Sequence, residues 1–453
     1  MGGLSLLSEI GKQGMLLSQF SIQVTGKNIS NINTRGYSRQ RLDVNPILPE
    51  ILSGFSMGSA ISGDTLRRIR EDFEDRQFWS QSSLESRYAT EESLLRQVEG
   101  VLPSSNETGL GILLDDFWSA WNNLANDPES SVARTVVRDR AQTLAQSFNR
   151  VYREFISFQS TISDEINVRI DEINNLAAQI AELNRVNPGD SLDLEDQRDR
   201  LLDRLSELIN IDVQRDGNSV RVFASGLMLV SGKASYEISA DKSLNDEGIS
   251  QITTIISGTS REVDVTSGEL SGLIAVHNED IPDLLERLDT LAVTIADEVN
   301  AVHKNGFNLN GITGLNFFAS TTEGAGSIAV DSSIVANVDL IASSDALGEP
   351  GNSNIAKALA DLADKDVIGN QTAGEYYRAL VGTLGNRIQE IGFLRSNQEK
   401  IVEHLEMQRQ SVSGVSMEEE MTRMVQLEQA FTAASRLVSI ADELTRTVLQ
   451  MII

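Results

Sequence analysis

The stretch MEEEMTRMVQLEQAFTAASRLVSIADELTRTVLQMII, residues 417–453, has neither Gly nor Pro. Its positions Met424, Leu427, Phe431, Ala434, Val438, Ala441, Thr445, Val448 and Ile452 step by three and four throughout. All but Thr445 are apolar, the repeat of a helix that lies against other helices. At 1.5 Å per residue this helix runs about 55 Å. At the other end of the chain, residues 4–33 carry Leu4, Leu7, Ile10, Leu17, Phe20 and Val24 at similar spacing, a helix of about 45 Å. Gly11, Gln13 and Gly14 interrupt that stripe, so a stable isolated helix is not expected.

A chain that begins and ends this way can pair its termini. Ile10, Leu17, Val24, Leu427, Phe431, Ala434, Val438, Ala441, Val448 and Ile452 are therefore the expected assembly interface. Residues 1–40 and 415–453 are expected to be mobile until neighbouring subunits bury these stripes. The alternative is that both are ordinary core helices of a soluble bundle.

Between these ends, length and composition allow several domains with aliphatic cores: 453 residues, 40% hydrophobic and 5% aromatic. With no cysteine, thiol catalysis, disulfides and cysteine-ligated metals are excluded. A net charge of −28 repels phosphate backbones and anionic lipid, so neither nucleic acid nor membrane is an expected partner. No run approaches a membrane span, and no Sec-type signal peptide is legible at the N-terminus.

Residues 34–65 read as a loop with short extended runs at 41–44, 47–51 and 57–61. Helices follow at 65–102 and 110–124, then a very long one from Ser130 to Val186 that stops at Pro188-Gly189. Asp190 or Ser191 caps another through Asn210. The period then changes to two. Strands are expected at Val213, 220–223, 227–230, 236–238 and 252–256, with an Asp216-Gly217 hairpin and a further run at 262–265. Helices return at 281–302, with Pro282 in the first turn, and at 355–404 with a break near 367–372. Loop and short strand fill 307–344, and Ser413-Gly414 breaks the last interior helix.

Chemistry is hard to find along this path. His277, His303 and His404 stand apart, without a second ligand at helical spacing, and His303 reads as a cation at a helix C-terminus. Asp193, Glu195, Asp196, Asp199 and Asp203 could suggest a cation site. The interleaved Arg198, Arg200 and Arg204 favour a solvated first turn with local ion pairs. Asn308-x-Asn310-Gly311 lacks the glutamate of a calcium loop, because Phe317 stands there, and Gly109-Leu-Gly111 lacks a dinucleotide context. No catalytic, cofactor-binding or metal-binding residues are assigned, and no enzyme is expected.

NISNINTRGYSRQ, residues 28–40, resembles the signature that follows the N-terminal helix in bacterial flagellar axial proteins. Gly36 permits its turn, and Asn31 and Asn33 tolerate left-handed geometry. Asn28, Asn31, Gly36 and Tyr37 are its turn residues. Residues 413–449 resemble the C-terminal signature of the same family. WNNLANDPESSVARTVVRDRAQTLAQSFNRV (121–151), DLEDQRDRLLDRLSELINIDVQRDGN (193–218) and residues 267–311 narrow the resemblance to the hook-associated protein 1 family of hook-filament junction proteins. The chain departs from longer members between about 318 and 355, where only a short connector stands.

That resemblance implies an α+β, mainly α architecture. Terminal coiled-coil-forming helices (1–40 plus 415–453) adjoin a helical rod domain (41–210 plus 268–414) with a small inserted β domain (211–267). It implies a structural adaptor that self-assembles into a ring on the hook tip. Hook protein would lie below, with a second junction protein and flagellin above. It also implies a cytosolic export chaperone on the C-terminal helix, and type III export to an extracellular position without a Sec signal. A flagellin, a hook protein and a secreted wall-degrading enzyme are the competing readings. A flagellin should lack the Asn33 to Tyr37 turn, a hook protein the long helices at 130–210, and an enzyme needs paired carboxylates in a cleft.

Overall fold

The computed structural model describes residues 2–43, 66–102, 109–186, 191–217, 219–244, 250–256 and 261–452, with the backbone alone at 2–4, 6, 451 and 452. The expected runs at 47–51 and 57–61, most of the Pro103 loop, the Pro188-Gly189 stop and the Ile452 side chain lie outside the described residues.

Helix α1 spans Gly2–Ser30 and leads into a short ribbon of β1 (Gln40–Leu42) and β2 (Leu66–Arg68), paired antiparallel. The rod is built from α2 (Asp72–Val101), α3 (Leu110–Asn126), α4 (Ser131–Arg185) and α5 (Leu192–Leu208). At 55 residues α4 is about 80 Å long. Its buried positions follow the helical period from Val137 through Phe148, Phe155 and Ile166 to Ile180, and the Ser130 hydroxyl caps it by accepting the Ala133 N–H. Trp121, Phe117, Phe317 and Phe318 form an aromatic knot beneath it, with Trp121 and Phe317 ring centres 5.1 Å apart.

Strands β3 (Ile211–Asp216), β4 (Ser219–Ala224), β5 (Leu227–Ser231) and β6 (Ala234–Ser235) form an antiparallel meander. Strands β7 (Ile238–Leu244) and β8 (Ser250–Ile256) form a separate hairpin. Of the expected strand at 236–238, only Ile238 is in a strand. The strands lie against α4: the Asn184 side chain donates to Val220 O and Gly232 O, and Asn174 to Ile238 O. Val220, Val222, Val230, Ile238 and Ile252 are buried in one core shared with the helices. Where the strands end, Gly268 lies directly on Leu208, for a Cβ there would stand 2.5 Å from the Leu208 carbonyl carbon. The two ends of the β segment therefore meet.

Helix α6 (Glu269–Ala275) continues through a π turn at Val276–Asp280 into α7 (Ile281–His303), so the helix begins a dozen residues before the expected start. The short α8 (Ser332–Ala336) and α9 (Asn354–Ala360) follow. Helix α10 (Ala373–Ser413) begins at a capping box of Thr372 and Glu375, and α11 (Met417–Ile452) closes the chain. Helix α10 packs on α2, and α11 packs on α1. Among the described residues no helix is long and apolar enough to cross a membrane.

Candidate assembly interface

The terminal helices pair within the chain, antiparallel, and their seam is made of small residues. A Cβ on Gly11 would stand 2.7 Å from Val438 Cγ2 and 3.2 Å from Ala434 O; one on Gly14 would stand 3.2 Å from Ala434 Cβ. On α1 the inward positions are Gly11, Gly14, Ser18, Ser21, Thr25 and Asn28, alternating three and four, and all but Gly14 are buried. The glycines expected to interrupt the stripe are its contact surface, because without side chains they let the backbones approach.

The α1 residues expected at the assembly interface do not share one environment. Ile10 is 53% exposed, Leu17 is half-buried and Val24 is buried. On α11 the expected face does turn inward: Ala434 and Ala441 are buried, and Leu427, Phe431, Val438 and Val448 are half-buried. These residues lie on the face toward α1, the pairing of the two ends that their spacing allows. Each helix therefore has a second apolar face. Leu16 and Phe20 on α1, and Leu437, Ile440 and Leu444 on α11, remain substantially exposed. Exposed large apolar side chains at three- and four-residue spacing make this the candidate interaction surface.

A polar joint fastens this helix pair to the rod, and Asn28 is its pin. The buried Asn28 amide donates to Gln40 O at 2.9 Å and to Glu420 Oε2 at 3.1 Å. Its oxygen accepts the Gln40 N–H at 3.0 Å and the Tyr37 hydroxyl at 2.8 Å. All four hydrogen-bonding valences are used, so one side chain closes the turn and holds α11. Burial, reinforced by Asp196, Asp193 and Glu420, pushes the Tyr37 phenol well above its ordinary value, which keeps it a donor.

Arg39 reaches Glu420 Oε1 at 2.7 Å and Glu419 Oε2 at 2.9 Å, while its backbone N–H donates to Ser413 O. Asn31 closes the helix end by donating to Lys27 O. Among the described residues neither Asn31 nor Asn33 adopts the expected left-handed conformation; Gly36 does, at φ +76°. A side chain at Gly36 would also strike Arg200, 2.5 Å from its Cγ.

Beneath the joint, the acidic face of α5 is a buried ion-pair hub, and the expected solvated first turn is corrected. Asp196 and Asp199 are buried. Their partners come from distant segments: Arg68 lies 2.8 Å from Asp196 and 2.7 Å from Asp199, and Arg215 lies 3.3 Å from Asp199. Arg70 grips Asp75 in two bonds of 2.6 and 2.8 Å. Arg409 reaches Asp203 at 3.0 Å and stacks on Phe78. Burial alone would raise the Asp199 carboxyl, but Arg70, Arg68 and Arg215 outweigh it and hold it well below the usual carboxylate range. Asp193 ties the hub to the helix pair through Lys27 at 2.7 Å and Gln40 at 3.3 Å.

The histidines are structural in geometry. His303 donates from Nδ1 to Leu315 O and accepts the Ala342 N–H at Nε2, and burial pulls its pKa down to about 4. It is a neutral core residue and not the expected helix-end cation. His277 is buried against Ser163 Oγ, and His404 is exposed. The Asn308 oxygen accepts the N–H groups of Asn310 and Ile312, closing a turn. Among the described residues no group of three or more carboxylate or imidazole side chains is placed to hold a metal ion.

Comparison with known proteins bears on this geometry. Residues 95–318 match the model of the flagellar hook-associated protein FlgK helical domain, and residues 408–451 that of the flagellar basal body rod FlgEFG protein C-terminal region. The chain is 32% identical to flagellar hook-associated protein 1 of Bacillus subtilis, across 96% of each chain. To the protein of that name from Escherichia coli it is 22% identical, across 97% of this chain and 98% of the relative. The fold is similar to the flagellar hook junction protein FlgK from Burkholderia pseudomallei, with a TM-score of 0.65 and 17% identity over 75% of this chain and 100% of that one.

Proposed function

The chain belongs to the flagellar hook-associated protein 1 family, and from that membership we propose how its helix pair works at the junction of hook and filament. It is a structural component of the bacterial flagellum, located where the hook meets the filament. On the hook tip, copies assemble into a ring with the terminal helix pairs innermost. The outer faces of α1 and α11, bearing Leu16, Phe20, Leu437, Ile440 and Leu444, pack against neighbouring pairs, and the seam around Gly11 and Ala434 stays within each copy. Hook protein lies below the ring, and a second junction protein and flagellin lie above.

The observation that carries this reading is the exposed second apolar face of the helix pair. A free monomer gains nothing from it, whereas burying such a face stabilises an assembly by about 25 cal/mol per Å². The same face explains why an export chaperone would cover α11 in the cytosol before the chain leaves through the flagellar type III channel, without a Sec signal, to its extracellular position. The joint at Asn28, Arg39 and Glu420 sets the angle between helix pair and rod, so each subunit presents its rod at one orientation. No catalysis is part of this role.

Immunogold labelling of intact flagella tests the reading. A band confined to the hook-filament boundary is expected. Label along the whole filament would indicate a flagellin-like role, and label on the cell body would indicate a secreted enzyme.

A further inference from the structure

A groove of about 1010 Å³ runs between α2 and α10. Its floor on α2 includes Ser82, Ser86 and Thr90, small residues that leave room for an inserted segment. Its walls are acidic, and Arg35 is the one basic side chain lining it. Glu207, Glu269 and Glu406 have arginine partners within 3 Å. Glu399 and Glu403, one turn apart on α10, are exposed and enter no ion pair among the described residues. Glu85 has only Arg395, at 3.9 Å. Burial, and beyond it the charges of Glu399 and Glu207, push the Glu85 carboxyl up, while Arg395 opposes them. The groove thus holds more negative charge than the chain neutralises.

The β1–β2 ribbon carries the opposite imbalance. Arg41 and Arg67 are direct cross-strand partners, like charges face to face, which destabilises a ribbon. Arg67 is 71% exposed, and Asp43 is the ion-pair partner of both, at 3.6 and 3.9 Å. In a chain of charge −28, copies repel one another across most of their surfaces, so a contact that brings opposite charges together is favoured. We infer that in the ring the Arg41/Arg67 face of one copy docks into the Glu399/Glu403 groove of the next, a head-to-tail contact between copies of this chain. Such a heterologous contact repeats from copy to copy and makes a ring when its rotation closes, unlike a two-fold contact, which stops at a dimer. This inference rests on the ring assembly proposed above and names the surfaces that close it.

The absence of cysteine allows a direct test. Flagella carrying hooks are isolated from cells producing the variant Arg67→Cys/Glu403→Cys, oxidised with copper phenanthroline and run on a non-reducing gel. A ladder of dimers and higher multiples, collapsed by reductant and absent from each single variant, is expected. Monomer alone in a hook fraction that contains the variant would overturn the inference, as would a fast-migrating intramolecular product or a dimer formed by Arg67→Cys by itself. A charge swap covers failure of the thiol variant to assemble. Arg41→Glu/Arg67→Glu should release filament protein into the medium with the monomer's Tm unchanged, and adding Glu399→Lys/Glu403→Lys should restore retention. No restoration overturns the contact. Absence of the unaltered chain from the hook fraction would instead overturn the junction reading itself.

Discussion

Replacing Asn28 by Asp keeps the shape of the pin and changes only its chemistry. The amide nitrogen that donates to Gln40 O and, at 3.1 Å, to Glu420 Oε2 becomes a carboxylate oxygen. Two donated bonds are lost, about 1 kcal/mol each. Two carboxylates also come to face each other in a buried site, a repulsion of about 4 kcal/mol at an effective dielectric constant near 20. The pair can escape by binding one proton, which at pH 7 costs about 4 kcal/mol for a group of ordinary pKa 3.9 and at pH 5 only about 1.5 kcal/mol. The folded variant's carboxyl is thus raised above its unfolded value, so its stability is fullest at low pH and is lost as pH rises. The deficit relative to the unaltered chain should therefore grow by about 1.4 kcal/mol per pH unit between pH 4 and 7. Hydrogen exchange of peptides covering 28–40 and 417–445, corrected for intrinsic rates, measures it locally. A deficit that does not vary with pH would show that Asn28 and Glu420 are not in contact.

Gly11→Leu should weaken the α1–α11 pair by about 2 kcal/mol, since overpacking against Val438 and the Ala434 carbonyl outweighs the gain in helix propensity; exchange in the terminal peptides reads the loss. Ala441→Asp and Ile440→Asp should separate the two faces of α11. Ala441 is 1% exposed, so its replacement should lower the stability of the isolated pair by several kcal/mol; Ile440 is 49% exposed, so its replacement should leave the pair within about 0.5 kcal/mol yet abolish filament retention and swimming. Because His303 is held neutral to about pH 4 in the fold and titrates near 6.5 when unfolded, its contribution is full above pH 6.5 and is lost as pH falls toward 4. Denaturation at pH 7.5 and 5.0 should show a loss of about 2 kcal/mol that is missing in His303→Gln, the comparison separating it from carboxylates that titrate in the same range.

Elements governed by local rules were legible in the residues. The helical period placed α4, the unbroken three-four repeat placed α11 with its inward face, and Asp216-Gly217 placed the β3–β4 hairpin. The seam of α1 was not legible, because a search for large apolar residues passes over Gly11, Gly14, Ser18, Ser21 and Thr25, whose value lies in what they lack. Their own three-four spacing was the available signal. The α5 hub was misread for a different reason: Arg68 and Asp199 lie 131 residues apart, and no local spacing reports such a pairing. His303 looked like a helix-end cation because the segment that buries it, around Leu315 and Ala342, follows later in the chain.

Adjacent thiols test the two-faced helix pair most directly. In the cysteine-free chain, Ile440→Cys places a thiol on the outer face of α11 and Ala441→Cys places one on the seam. Maleimide labelling is then compared between purified monomer and intact flagella. The thiol at position 440 should react readily in the monomer and be shielded in flagella, while the thiol at 441 should be shielded in both. Equal reactivity at 440 before and after assembly would contradict the role of the outer face, and a freely reactive 441 in the monomer would contradict the intrachain pair.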